Sequence, residues 1–295
     1  MNAKNDFALI SKPSGALEKT EPSAKRILSG MVAEALSLAR GAQDDAEELY
    51  QRGCKFLELK DDLQAVLCFQ KAANLDHAGA QCTLGLLYSW GRGVSLNHPE
   101  AFKWFHKSAV SGQKVGQRRL ADCYENGIGE QRDEIEAVRW LRQAAENGCQ
   151  YSQESLAQRY RAGRGVQRSD VEAFKWMRMA AEQGRALFQE QLGYYYSNGI
   201  GVEQNFTEAV KWYRMAAEQD CFSIIERLGD FYRFGRGVPK DNCEAYKFYK
   251  LPGFPFLHNE LSDLVATMTS GEIEEGERRI REFRLAHPES EEENE

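Results

Sequence analysis

The chain lacks any apolar run near the ~18 residues that a spanning helix needs, so no membrane span is expected. The opening residues, MNAKNDFALISKPSGALEK, lack the apolar core of a secretory signal, and the expected location is the cytoplasm. The histidines His77, His98, His106, His258 and His287 form no H-x-x-x-H or H-E-x-x-H pattern, so no metal site is expected. There is no G-x-S-x-G, and no cysteine has a nearby histidine that would suggest a nucleophile. Neither a catalytic residue nor a cofactor is therefore expected. The seven cysteines (Cys54, Cys68, Cys82, Cys123, Cys149, Cys221 and Cys243) include no C-x-x-C pair; buried free thiols in a reducing compartment stand against disulfides as their reading. Excess positive charge is missing too. The net charge is −7, and Glu289, Glu291, Glu292, Glu293 and Glu295 supply most of it, which leaves the rest of the chain near −2. That balance offers no electrostatic footprint for nucleic acid or an anionic membrane.

What the chain has is repetition. Tyr88, Tyr124, Tyr160, Tyr196 and Tyr232 follow one another at a step of 36 residues, and so do Glu100, Glu136, Glu172, Glu208 and Glu244. Trp104, Trp140, Trp176 and Trp212 keep that step, with Phe248 in the fifth slot. A fixed period of this size signals stacked repeats. Within one copy, Leu192, Gly193 and Tyr196 share a helical face, and Gly199-Ile200-Gly201-Val202 interrupts the helix. A second helix carries Ala209, Trp212, Tyr213 and Ala216 at three- and four-residue steps, with Trp212 expected between neighbouring repeats. One hairpin of this kind cannot bury its apolar face alone, whereas stacked hairpins can. The recurring G-x-G reads as a turn, since a phosphate-binding loop follows a strand. The recurring glutamates read as structural, placed where the helix dipole favours them.

At these residues the pattern LG-x-x-Y-x-x-G-x-G-V, followed by E-A-x-x-W-x-x-x-A-A-E-x-G, resembles the Sel-one-like repeat of the tetratricopeptide superfamily. The resemblance implies an all-α fold: a right-handed superhelical solenoid of about six antiparallel helix hairpins with terminal capping helices. It also implies bacterial origin and a role in assembling complexes. Five Sel-one-like copies are read over residues 79–257. Residues 45–78 resemble a plain tetratricopeptide unit that has Gly53, Ala65, Phe69 and Ala72 but no two-glycine loop. Some cysteine-rich relatives pair cysteines in each repeat, a pattern from which this chain departs.

Outside the repeats, residues 1–20 are expected to be disordered. An amphipathic helix and linker are expected over 21–44, where Ile27, Leu28, Met31, Val32, Ala35, Leu36 and Ala39 form a stripe. This helix is either a cap for the first repeat or a docking segment. Capping helices are expected over 258–287, opened by a Thr269/Glu272 capping box and a Met268/Ile273 staple, with Arg278, Arg279 and Arg281 in water. An acidic disordered tail is expected over 288–295. Repeats two, four and six carry Arg92, Arg164 and Arg236 between the loop glycines and Phe102, Phe174 and Tyr246 after the alanine; repeats three and five carry Ile128 and Ile200 with Val138 and Val210. This alternation suggests duplication of a two-repeat unit, with the loop residue matched to the neighbouring helix.

In tetratricopeptide-like solenoids the first helix of each hairpin lines the concave face, so the resemblance implies a binding surface there. Exposed positions three before, one after and four after the Gly193 slot select Arg118, Asp122 and Glu125; Glu154, Gln158 and Arg161; Glu190, Tyr194 and Ser197; and Glu226, Asp230 and Arg233. The acidic share of these positions favours a protein or peptide partner with basic residues. The expected function is thus a non-catalytic adaptor or scaffold. Its rivals are self-association through Phe254, Phe256 and the terminal helices, and a weak hydrolase or β-lactam-binding activity like that associated with the cysteine-rich relatives.

Overall fold

The computed structural model describes residues 45–219, 224–251 and 258–286. The segments 1–20 and 21–44, Cys221, Phe254, Phe256 and the acidic tail lie outside these residues, as do the expectations placed on them. Fourteen α-helices and no strand occur among the described residues, in two compact units, 1–133 and 134–295.

The first unit holds α1 (Ala46–Glu58), α2 (Asp62–Asn74), α3 (Ala78–Trp90), α4 (His98–Val110) and α5 (Lys114–Asn126). Helices α1 with α2 and α3 with α4 pack as hairpins, and α4 continues onto α5. The second unit holds α6 (Glu134–Glu146), α7 (Gln150–Ala162), α8 (Asp170–Ala181), α9 (Ala186–Asn198), α10 (Phe206–Ala217), α11 (Ile225–Phe234), α12 (Asn242–Lys250), α13 (His258–Val265) and α14 (Ser270–Ala286). Here α7 pairs with α8, α9 with α10 and α11 with α12.

Packing within a hairpin turns on one close approach. A Cβ added to Gly193 would lie 2.7 Å from ring carbons of Tyr213, and one added to Gly85 would lie 2.5 Å from Phe105. Gly53 faces Phe69 and Gly229 faces Tyr249 in the same way. Where the equivalent residue of the second helix is not aromatic, alanine returns: Ala157 and Met177 share one core cluster. The slot is therefore set by the volume opposite it, as close packing requires. The residue after each repeated tryptophan is the buried one, with Phe105, Leu141, Met177 and Tyr213 all inside. The tryptophans themselves are half-buried, and Trp176 and Trp212 border the cluster built from α7 to α9.

The 36-residue step has a hydrogen-bonding cause. The carbonyl of each repeated tyrosine accepts from the residue that caps the next helix: Asn97 to Tyr88 at 3.0 Å, Ser169 to Tyr160 at 2.9 Å, Asn205 to Tyr196 at 2.9 Å and Asp241 to Tyr232 at 3.0 Å. Those capping side chains then accept from the amides of Glu100, Glu172, Glu208 and Glu244. Each repeated glutamate thus sits in a first helical turn, where a negative charge is favoured, and reaches a lysine or arginine three residues on. The structural reading of these glutamates agrees with this arrangement.

The two-glycine loop folds onto the preceding repeat. Gly199 closes α9 with φ +65°, and Gly201 follows at φ +67° with its Cα against the carbonyl of Asp170. Only glycine fits there, because a Cβ would meet that oxygen at 1.9 Å. The equivalent loop glycines Gly129 and Gly165 rest on Phe102 and Val138, so those two residues occupy matching environments. The 72-residue alternation continues in the side chains. Phe102 meets Tyr124 edge-on at 5.4 Å, as Phe174 meets Tyr196 at 5.2 Å. In the other copies an arginine reaches the tyrosine hydroxyl instead: Arg142 to Tyr160 at 2.6 Å, and Arg214 to Tyr232.

At the end of the second unit α14 packs on α12. Thr269 and Glu272 form the expected reciprocal box, with the Thr269 amide donating to Glu272 at 2.7 Å and the Glu272 amide donating to Thr269 Oγ1 at 3.3 Å. Met268, Ile273 and Phe283 pack on the core cluster that holds Ile280. The expectation that Arg279 stays in water is corrected: it donates to Asp241 at 2.7 Å, to Glu244 at 3.1 Å and to Glu275 at 2.8 Å. Its side chain crosses the helix–helix seam, where three carboxylates hold it.

Candidate functional site

The site is built on the first helices of three hairpins in the second unit, α7, α9 and α11. Two open hollows lie along them. One, of about 290 Å³, is lined by Gln158 and Arg161 of α7, Glu190, Gln191, Tyr194 and Tyr195 of α9, and Arg227 of α11. The other, of about 270 Å³, is lined by Tyr194, Ser197 and Asn198 of α9, Phe206 and Tyr213 of α10, and Arg227, Asp230 and Phe231 of α11, with Arg236 from the loop. Tyr194 and Arg227 belong to both, and the Arg227 guanidinium lies over the Tyr194 ring at 5.3 Å. The two hollows adjoin at this pair and form a trough.

Of the positions selected from sequence, Gln158, Arg161, Glu190 and Tyr194 come together in the first hollow, and Tyr194, Ser197 and Asp230 in the second. Glu154 lies one turn before Gln158, which donates to it, and lines neither hollow. Glu226 is exposed and also lines neither. Arg233 donates to the Glu260 carbonyl at 3.3 Å and thereby ties α11 to α13. Arg118, Asp122 and Glu125 lie on α5 of the first unit, where Arg119 pairs with Asp122 at 3.4 Å.

These positions were selected as exposed, and most are half-buried; Gln158, Arg161 and Glu226 are the exposed ones. Burial has electrostatic consequences. It pushes the Asp122 carboxyl above its usual range against the pull of Arg118 and Arg119, and it raises Glu154 too. Burial likewise raises Tyr195, while Arg161, 5.4 Å over its ring, opposes the shift. Tyr249 is raised first by burial and then by its hydrogen bond to Asp230, whose Oδ1 accepts from the phenol at 2.5 Å.

Several lining residues were not among the selected positions. Arg227 and Gln191 both stand two before the Gly193 slot, a step the three-position scheme omits. Tyr195, Tyr213 and Phe231 are buried core residues that also line a hollow. Arg236 had been noticed only as one of three loop arginines. The structure separates those three: Arg92 pairs with Asp62 at 2.7 Å, Arg164 is exposed, and Arg236 lies over Phe234 at 5.3 Å beside the second hollow.

Among the described residues no group of three or more His, Cys, Asp or Glu is placed to hold a metal ion, and no helix is long and apolar enough to cross a membrane. Cys123 and Cys149 are buried free thiols, and burial pushes Cys123 up to about 12.

No curated protein matches the chain. Among solved structures, a protective antigen present in uropathogenic Escherichia coli strains and displaying an SLR fold is 31% identical over 87% of this chain, with a TM-score of 0.71. The match covers 56% of the antigen's chain, so this chain spans little more than half of its length. A Sel1 repeat protein from Oxalobacter formigenes is 29% identical, over 81% of this chain and 98% of its own, with a TM-score of 0.66. The Sel1 repeat model matches six times, at residues 48–77, 78–112, 115–149, 150–184, 186–221 and 225–251. The first of these copies is the segment that reads from sequence as a plain tetratricopeptide unit. All-helical among the described residues, built of adjacent hairpins and matched six times by that model between residues 48 and 251, the chain belongs to the Sel1 repeat family.

Proposed function

We propose that this chain is a non-catalytic adaptor or scaffold that binds a protein or peptide partner on the first-helix face of its repeats. Sel1 repeat solenoids are generally protein-interaction modules, which supports the class of function. The observation that carries the site is the trough along α7, α9 and α11, where Tyr194 and Arg227 join two hollows into one run of polar and aromatic side chains. Such a surface suits an extended segment: ring faces and amide groups offer contact area, and small polar groups fix orientation. The proposed setting is the cytoplasm, with the buried thiols Cys123 and Cys149 in support.

A crosslinking pull-down tests the proposal, using the intact chain beside Tyr194→Ala and beside a control substitution that lines neither hollow, Met215→Ala, a half-exposed residue of α10. A partner captured by the intact chain and the control but lost with Tyr194→Ala supports the first-helix face. Capture that ignores Tyr194→Ala contradicts it.

A further inference from the structure

We infer that the trough is selective for an acidic segment, carboxylates interspersed with an aromatic side chain, and that it disfavours the basic segment expected from the sequence positions. This rests on the first-helix reading above and adds the chemistry of the occupant. The sequence count weighed Glu154, Glu190, Glu226 and Asp230, yet only Glu190 and Asp230 line the hollows. Three guanidiniums line them as well, those of Arg161, Arg227 and Arg236. The lining therefore has more positive than negative charge.

The two acidic groups are also poorer attractors than their number implies. Asp230 already accepts the Tyr249 phenol at 2.5 Å, and Glu190 is half-buried and shares its hollow with Arg161 of α7 and Arg227 of α11. The arginines are better presented. Arg161, Arg227 and Arg236 are all exposed, and Arg227 gives one bond to the Tyr213 hydroxyl at 3.3 Å out of the five donors of a guanidinium. Two of these planar groups lie over the rings of Tyr194 and Tyr195, and that contact restrains them and reduces the entropy lost when a carboxylate takes two parallel N–H bonds. Between the charges, Phe206, Tyr213 and Phe231 give the second hollow an aromatic floor for a ring of the partner. Each hollow is lined by two arginines, so an ammonium group in either would face positive charge.

The test uses the full chain and two labelled synthetic peptides of alternating charge and phenylalanine, one with glutamate and one with lysine, in a fluorescence-polarisation titration. The glutamate peptide is expected to bind in preference to the lysine peptide, more weakly as salt rises. Affinity for it should fall about tenfold in an Arg161→Gln, Arg227→Gln chain, both sites being exposed so that folding is retained. A full chain with its tail glutamates changed to glutamine that binds the probe more tightly would identify Glu289 to Glu295 as a resident acidic occupant, which also supports the inference. Preference for the lysine peptide, weakened by Glu190→Gln and Asp230→Asn, would overturn the charge assignment and leave the binding face standing. Glutamate-peptide binding indifferent to all four substitutions, or absent from both the full chain and its tail variant, overturns the inference. If the partner captured in the crosslinking experiment is indifferent to them and to Tyr194→Ala, the binding face falls as well.

Discussion

Two faces of the same hairpins behave differently in the second unit. On the side where helices of a pair meet, each slot is dictated by the volume opposite: Gly193 under Tyr213, Gly229 under Tyr249, Ala157 with Met177. On the first-helix face of α7, α9 and α11, the slot one after that position holds Gln158, Tyr194 and Asp230 in turn, three unrelated chemistries. The difference shows where the energy of folding is fixed and where it is permissive. Core slots are constrained by close contact that leaves no room for an added methyl group, whereas face slots are constrained only by the charges and rings beside them. Stability and binding should therefore separate by face.

The largest stability effect is expected at a loop that locks one repeat onto the last. Gly201→Ala combines φ +67° with a Cβ 1.9 Å from the Asp170 oxygen and should cost about 3 kcal/mol or more in urea unfolding. Gly184→Ala, at φ +92° with nothing within 4 Å, carries backbone strain alone and should cost about 1 kcal/mol. Equal losses at the two sites would break the packing account.

Gly193→Ala should follow at roughly 1–3 kcal/mol, because the Tyr213 ring must move. Adding Tyr213→Met recreates the Ala157/Met177 pairing of the preceding repeat, and a double-mutant cycle should show recovery of part of that loss. An additive cycle would mean that the glycine slot is not set by its neighbour.

The seam between α12 and α14 should respond to acid. Hydrogen bonds first from Arg278 and then from Arg279 hold Glu275 down at about 2, and Lys250, then Tyr246, hold Glu277 below its usual range. Burial pushes Asp241 up, but Arg279 and the amides of Glu244 and Cys243 outweigh it and leave the carboxyl low. Depressed carboxylates stabilise the fold above their unfolded values, near 4.5 and 3.8, and that stabilisation is lost as pH falls toward the folded ones. The urea midpoint should accordingly decline from about pH 4.5 to about pH 2. Replacing Arg279 with Gln should flatten the decline. A midpoint that rises on acidification would contradict the seam.

The smallest stability change belongs to the other face. Arg227→Gln should stay within about 0.5 kcal/mol of the parent chain, since the side chain is exposed and its hydroxyl partner Tyr213 remains packed. Binding of the acidic probe should nevertheless fall. Loss of both together would merge the two faces that the comparison separates.

Much of this was legible in the sequence because repetition reports packing. The 36-residue step located the hairpins, the glutamates marked helix starts, and Thr269 with Glu272 marked the last helix. The Phe102/Val138 alternation was readable as well, because a side chain pressed under a loop glycine leaves a periodic trace. Depth was less legible. A helical net gives the side on which Asp122 and Glu154 stand, but not how far adjacent helices rise around them. Arg279 is a similar case: carboxylates of α12, of the residue capping it and of α14 hold it, and two of the three lie more than 30 residues away in the chain. The site was legible only in part: Arg227 and Gln191 share a register two before the Gly193 slot, which the three-position scheme omits, and Arg236 lines the second hollow from the loop.

The most direct measurement is amide hydrogen exchange on the intact chain, with and without the bound glutamate–phenylalanine peptide. The account predicts added protection in α7, α9 and α11 around Arg161, Tyr194 and Arg227, with the outward residues of α8 and α10, such as Met179 and Met215, unchanged. Protection confined to α8 and α10, or to the α12–α14 seam, would contradict a binding face on the first helices.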